Sequence, residues 1–175
     1  MSGGSGHFIE TPRLILRPMR AEDSVGLLSV FGDPQVMTAF GHPPFDPPTM
    51  EAWLRRNLDH EDRYGYGLFA VVLRETGLLI GDCGLEHMPV DGTPETELGY
   101  DLRSDYWNRG LATEAAAAVR DYAFTTLALP RLISLIRSTN AASRRVAEKI
   151  GMQPEKRLIR DGHEYWVYSL QPTAM

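Results

Sequence analysis

The sequence predicts a mixed α/β (α+β) fold, a largely antiparallel sheet of about seven strands flanked by about four helices. Three observations carry that expectation. Segments with the two-residue period of a strand, such as "RLILRPM", alternate with segments of helical spacing, such as "GLATEAAAAVRDYAFTTL". Short glycine-containing turns, Glu75-Thr76-Gly77 and Asp161-Gly162, join neighbouring strands directly as hairpins. One strand, helix and strand follow in succession from "ELGYDL" to "RLISLIRS", which calls for a crossover connection.

In chain order, Arg13 to Met19 alternates Leu14 and Leu16 with Arg13 and Arg17, a strand with one wet face. Ala21 to Phe31 spaces Val25, Leu28 and Phe31 about one turn apart, as in a short amphipathic helix. Gly32 to Pro48 is rich in Pro and Gly, which disfavours regular structure. Thr49 can cap a helix whose apolar face is Met50, Trp53, Leu54 and Leu58. "GLFAVVLR" and "LLIGDCGLE" then form a hairpin, and "ETELGYDLR" a third strand.

The strongest helix runs from Gly110 to about Leu127. Leu111, Ala115, Val119, Tyr122 and Leu127 share one face, and the alanine block lets it approach a sheet closely. "RLISLIRS" reads as a buried strand and "NAASRRVAEKIG" as a helix capped by Asn140 and closed by Gly151. "KRLIR" and "EYWVYSL" complete the sheet as a hairpin.

With 175 residues, one domain over 7–175 is the simplest organisation, and "MSGGSG" at 1–6 reads as a flexible tail or cloning remnant. A net charge of −5 without a basic run argues against nucleic acid or an anionic membrane as partner. No apolar run approaches the roughly 20 residues of a membrane span. Cys83 stands alone, which excludes an internal disulfide and suggests a cytoplasmic setting. The five histidines are scattered and form no ligand-spaced group, so no metal is expected.

"YWNRGLATE" places a glycine and an arginine at the start of a helix, where unpaired backbone amides and the helix dipole favour an anion. An ordinary strand-to-helix turn looks the same. Neither a P-loop nor a dinucleotide-binding glycine pattern is present, which excludes a kinase or dehydrogenase reading. Five segments in order, "ETPRLILRPMRAED", "IGDCGLEHM", "ELGYDLRSDYWNRGLATEA", "NAASRRVAEKIGM" and "DGHEYWVYSL", together resemble the GNAT acetyltransferase superfamily. Within it they are most similar to the RimJ/RimL-like branch, the ribosomal-protein alanine N-acetyltransferases.

The resemblance implies a GNAT-type sheet with a central splay and acetyl-CoA as co-substrate. It implies that Tyr100, Asp101 and Leu102 pair with the pantetheine arm. It also implies that Arg109, Gly110, Leu111, Ala112 and Thr113 hold the pyrophosphate, largely through backbone amides. The first position of the Q/R-x-x-G-x-G/A motif is Trp107, as is often seen in the RimL-like branch. Arg109, Arg144 and Arg145 could supply positive charge. Asn140 and Ser143 would touch the cofactor arm, Asn140 while capping its helix. Relatives in this branch often dimerise, so a homodimer is possible, although no dimer patch is visible.

Transfer from a thioester to an amine needs a neutral amine, a stabilised oxyanion and a proton for the thiolate. At pH 7 about one α-amine in seven is neutral but only about one lysine amine in 2,500, a gap of about 3.5 kcal/mol. An α-amine could therefore manage with a weak base. Glu97 is the first candidate base, Glu86 the second and Glu164 the third; each could also be a plain surface carboxylate. Many GNAT members place a proton-donating Tyr where this chain has Ala147, and the RimL-like pattern points instead to Ser143. Phe40, Phe45 and Trp53 could wall the acceptor site, with His42 and His87 at its border. Cys83 reads as a small buried hydrophobe.

The expected activity is N-acetylation of a primary amine, with a protein N-terminal α-amine favoured. A small amine such as an antibiotic or polyamine is the alternative, and it would call on acidic clusters such as Glu51, Asp59, Glu61 and Asp62, or Asp91 and Glu95. A catalytically silent CoA-binding module is the alternative of a different class, for which Ala147 is the best argument.

Overall fold

The computed structural model describes residues 6–174; residues 1–5, nearly all of the expected tail, lie outside the described residues. The elements are β1 (Ile9–Glu10), β2 (Leu14–Pro18), α1 (Ser24–Phe31), α2 (Pro34–Thr38), α3 (Pro47–Tyr64), β3 (Leu68–Leu73), β4 (Leu79–Val90), β5 (Thr93–Leu102), α4 (Leu111–Thr125), β6 (Leu132–Arg137), α5 (Ala141–Lys149), β7 (Gln153–Arg160) and β8 (His163–Leu170). The strands form one sheet in the order β1-β2-β3-β4-β5-β6-β8-β7. All pairings are antiparallel except β5 with β6, which α4 joins as a crossover.

The helices cover both faces of the sheet. On one, α4 lays Leu111, Ala115, Ala116, Val119 and Ala123 against Leu14, Leu16, Val71 and Ile80, with Ala147 and Ile150 from the α5 region in the same core. On the other, Leu27, Val30 and Phe31 of α1 and Met50 and Leu54 of α3 pack on Ala70, Val72 and Leu79. Each fully buried Leu or Val stabilises the fold by about 1.5–3 kcal/mol.

The structure differs from the expectations in three places. Val25 is 79% exposed, because α1 docks through Leu27, Val30 and Phe31, one position round from the expected face. Within the Pro-rich 32–48 stretch, α2 forms because Asp33 accepts the Gln35 amide and Pro34 stands at the first helical position. The same pairing starts α3 early: Asp46, not Thr49, is the cap, accepting the Thr49 amide ahead of Pro47. Asp161 and Gly162 both take positive φ, as a two-residue hairpin turn requires.

Candidate active site

The sheet opens at its centre. Strands β5 and β6 are paired at a single position, Glu97 with Ile133. Beyond it, Tyr100 to Leu102 pair only with β4, through Cys83, Asp82 and Gly81, and the edge facing β6 is unladdered. Side chains fasten the junction: Ser134 Oγ donates to the Leu98 carbonyl at 2.6 Å, and the Leu135 amide donates to Glu97 Oε1 at 3.0 Å. This is the splay the resemblance implies. A cavity lies on each side of it.

The first cavity, about 550 Å³, runs from the open end of β5 to the N-termini of α4 and α5. Tyr100, Asp101, Leu102, Gly110, Leu111, Ala112, Thr113, Asn140 and Ser143 all line it. Gly110 caps α4 with φ +76°, a left-handed conformation that glycine adopts without penalty. Its backbone therefore turns at the helix mouth because of φ rather than crowding; an added Cβ would meet only the Arg13 guanidinium, at 3.5 Å. Trp107 lines the cavity and its Nε1 donates to the Leu102 carbonyl at 2.9 Å, tying the loop before α4 to the end of β5.

The three arginines divide. Arg145 lines this cavity, joined by Lys149. The Arg109 side chain turns away, donating to the Asp105 carbonyl at 2.9 Å and stacking on Tyr106, so Arg109 offers the helix mouth its backbone rather than its charge. Arg144 binds the Tyr168 hydroxyl at 3.2 Å and lies over Trp166. Asn140 caps α5 by accepting the Ser143 amide at 3.1 Å, and the Tyr100 hydroxyl donates to the Ser143 carbonyl at 2.6 Å. Tyr100 thus bridges the open splay to α5.

The second cavity, about 340 Å³, opens on the α1–α3 face. Phe31, Phe40, Phe45 and Trp53 form its aromatic wall and His42 its border. Its floor holds four carboxylates, Asp82 and Glu86 of β4 and Glu97 and Asp101 of β5. They share a face because "DCGLE" and "ELGYD" pair antiparallel, Asp82 opposite Asp101 and Glu86 opposite Glu97, with Gly84 opposite Gly99 between them. Ser143, Asn140 and Tyr100 line both cavities, so the two meet beside Ser143.

Burial is the main force on these acids. It raises Glu97 to about 8, helped by the nearby charge of Glu86 and opposed by the hydrogen bond from Leu135. Burial also raises Glu86, against the pull of Arg56. Asp82 and Asp101, facing each other across the strands, are both raised by burial first, with like charge adding to it. Two expected bases are therefore together in one cavity, and two further carboxylates accompany them. Asp101 was expected only on the cofactor arm, through its backbone, and Asp82 not at all; their mirrored spacing around a glycine was the available signal.

The third candidate, Glu164, lies on the β7–β8 hairpin in an ion pair with Arg157 and lines neither cavity. His87 stacks on Tyr64 instead. Of the surface acids, Asp91 pairs with Lys156 and Glu95 with Arg131. Cys83 is fully buried, and burial raises its thiol well above the usual range. Among the described residues, no helix is long and apolar enough to cross a membrane.

The profile of the acetyltransferase (GNAT) domain matches residues 13–153. The chain is 36% identical to the uncharacterized protein YkkB of Bacillus subtilis over 159 residues, 90% of this chain and 92% of that one. It is 30% identical to the uncharacterized N-acetyltransferase p20 of Bacillus licheniformis, over 86% and 84% of the two chains. The crystal structure of an acetyltransferase from Agrobacterium tumefaciens superimposes with a TM-score of 0.82 at 35% identity, over 95% of each chain.

Proposed function

The chain belongs to the GNAT acetyltransferase family, and from that premise we propose that it transfers the acetyl group of acetyl-CoA to a primary amine by direct attack in a ternary complex. The observation that carries the reading is the opening of the sheet after Glu97, with a cavity on each side and Ser143 where they meet. The amides at the α4 N-terminus and the charges of Arg145 and Lys149 suit a pyrophosphate. The unladdered edge of Tyr100 to Leu102 suits the amide-bearing arm, and acetyl-CoA brings the thioester.

The amine enters from the carboxylate-lined cavity, where Glu97 takes its proton, with Glu86 as the alternative acceptor. The amine nitrogen bonds to the acetyl carbon, the carbon–sulfur bond breaks, and the Ser143 hydroxyl protonates the departing thiolate, its own proton being restored through solvent as Glu97 gives up the one it took from the amine. A base raised to about 8 is matched to an ammonium far better than an ordinary carboxylate. Ala147, fully buried on α5, leaves the acid role to Ser143. Resemblance to the RimJ/RimL-like branch suggests a protein α-amine as acceptor; four carboxylates facing aromatic rings suit a small cationic amine better, and we adopt that reading. We place the reaction in the cytoplasm, on the single unpaired cysteine.

The test is thiol release from acetyl-CoA against a panel of small amines and peptide N-termini, with product mass measured. An amide product supports the reading. Tight acetyl-CoA binding without turnover on any amine would replace it with a silent CoA-binding module.

A further inference from the structure

Six residues line both cavities: Ala39, Phe40, Tyr100, Asp101, Asn140 and Ser143. They mark the place where a thioester in the first cavity could meet an amine in the second. Among them, Ser143 is held in an unusual way. Side chains take its backbone at both ends: the Asn140 carbonyl oxygen accepts its amide at 3.1 Å, and the Tyr100 phenol donates to its carbonyl at 2.6 Å. Its own hydroxyl makes no hydrogen bond among the described residues, and it is not one of the buried polar atoms left without a partner. A serine in the first turn of a helix ordinarily turns its hydroxyl back on the backbone. This one is left free at the junction.

The Tyr100 contact spans the opening of the sheet. Beyond Glu97 the edge of β5 that faces β6 has no ladder, and among the described residues no other hydrogen bond joins β5 to α5. The phenol therefore sets the width of the gap at the level of Ser143. It has room to do so because Ala147, one helical turn past Ser143, is small and fully buried in the core cluster that Tyr100 packs against. Burial pushes the phenol above its ordinary range, so it keeps its proton and stays a donor at any working pH. A fixed donor to a backbone carbonyl is a strut, not a second acid.

We propose that Tyr100 is a positioning residue for the transfer: its phenol pins the first turn of α5 to the open end of β5, and so sets where the Ser143 hydroxyl stands beside the thioester. This rests on the acetyltransferase reading of the same site, in which Ser143 protonates the leaving thiolate. Tyr100 exchanges no proton itself. Without its hydroxyl the helix turn gains play across the gap, and transfer to a departing atom falls steeply with small misplacements. The cofactor, met by the β5 backbone and the α4 amides, should barely register the change.

The experiment is a double-mutant cycle on Tyr100→Phe and Ser143→Ala. It reads kcat from thiol release with the best amine of the panel and acetyl-CoA Kd from calorimetry, with a thermal melt of each variant to check folding. Phe keeps the ring and leaves the strand backbone as it is. The expected result is kcat about tenfold lower in Tyr100→Phe, with acetyl-CoA Kd within about twofold. Adding Tyr100→Phe to Ser143→Ala should bring no further loss. An unchanged kcat in Tyr100→Phe overturns the inference and leaves acetyl transfer standing. So does a loss that persists undiminished in the Ser143→Ala background, or one that appears equally in Kd. If no amine releases thiol from the wild type, the acetyl-transfer reading falls, and hydrogen exchange decides the anchor. Amides from Arg144 to Ala147 exchanging about tenfold faster in Tyr100→Phe uphold it; unchanged exchange overturns it.

Discussion

Arg13 and Glu114, 101 positions apart in sequence, are joined twice. The Arg13 Nε donates to Glu114 Oε2 at 2.7 Å and the Arg13 amide donates to Oε1 at 2.9 Å, while Arg13 Nη1 reaches the Arg109 carbonyl at 2.8 Å. The approach to β2 therefore braces the first turn of α4 and the loop before it. The arginine is half exposed, so each contact is modest. Arg13→Ala is expected to raise the acetyl-CoA Kd about fivefold, near 1 kcal/mol, with acceptor KM unchanged. Calorimetry against steady-state kinetics separates the two.

Gly110 has a narrower tolerance. A β-branched residue at φ +76° is strained by about 1–3 kcal/mol, and the helix mouth must shift to relieve it. Gly110→Val should weaken acetyl-CoA binding by about tenfold or more, whereas Gly110→Asn, which tolerates the left-handed region, should keep most of it. A valine variant that binds the cofactor normally would show that the pyrophosphate lies elsewhere.

Ser143 can be probed without disturbing its helix, because the cap uses its backbone amide rather than its hydroxyl. Ser143→Ala is expected to lower kcat on the order of a hundredfold, with acetyl-CoA affinity within about twofold. Equal losses in both would assign the hydroxyl to binding alone.

The pH dependence follows from Glu97. Its value in the fold is about 8 against 4.5 for an ordinary glutamate, so the fold favours the protonated form. Its contribution is neutral below about pH 4.5 and increasingly destabilising up to about pH 8, where it levels off. Glu97→Gln should therefore melt higher than wild type at pH 8, the difference shrinking toward pH 5. In catalysis the same group sets an acidic limb of kcat/KM near pH 8, which Glu97→Gln should abolish along with most of the rate.

Gly99 offers a variant that leaves the fold alone. Its backbone is extended, and a Cβ there enters open space. Gly99→Leu should melt at or slightly above the wild-type temperature. It should raise acceptor KM severalfold or more, and leave the acetyl-CoA Kd unchanged. Loss of cofactor binding instead would place the arm on the wrong side of the sheet.

Periodicity and turn chemistry made most of the elements legible in the sequence, because those signals are local. Asp161-Gly162 marked its hairpin and Asn140 its cap for that reason. The α1 face was misjudged through Val25, since its orientation depends on α3 and β4, which the local spacing does not contain. The residues that line the cavity at the α4 N-terminus were legible one by one as a motif. The acid floor was not: Asp82 and Asp101 are 19 positions apart, and only the register of β4 on β5 makes them neighbours. Arg109 looked like a charge for an anion, but Tyr106 and the Asp105 carbonyl draw it aside.

The proposed transfer gives Glu97 two duties on one carboxyl group. The oxygen that receives the Leu135 amide helps suture the β1–β5 leaf of the sheet to the β6–β8 leaf, at the seam where a lone rung joins them. In the proposed transfer, protonation by an incoming amine would weaken that stitch. Each turnover should then slacken the seam as product forms, so that release and chemistry share a single proton.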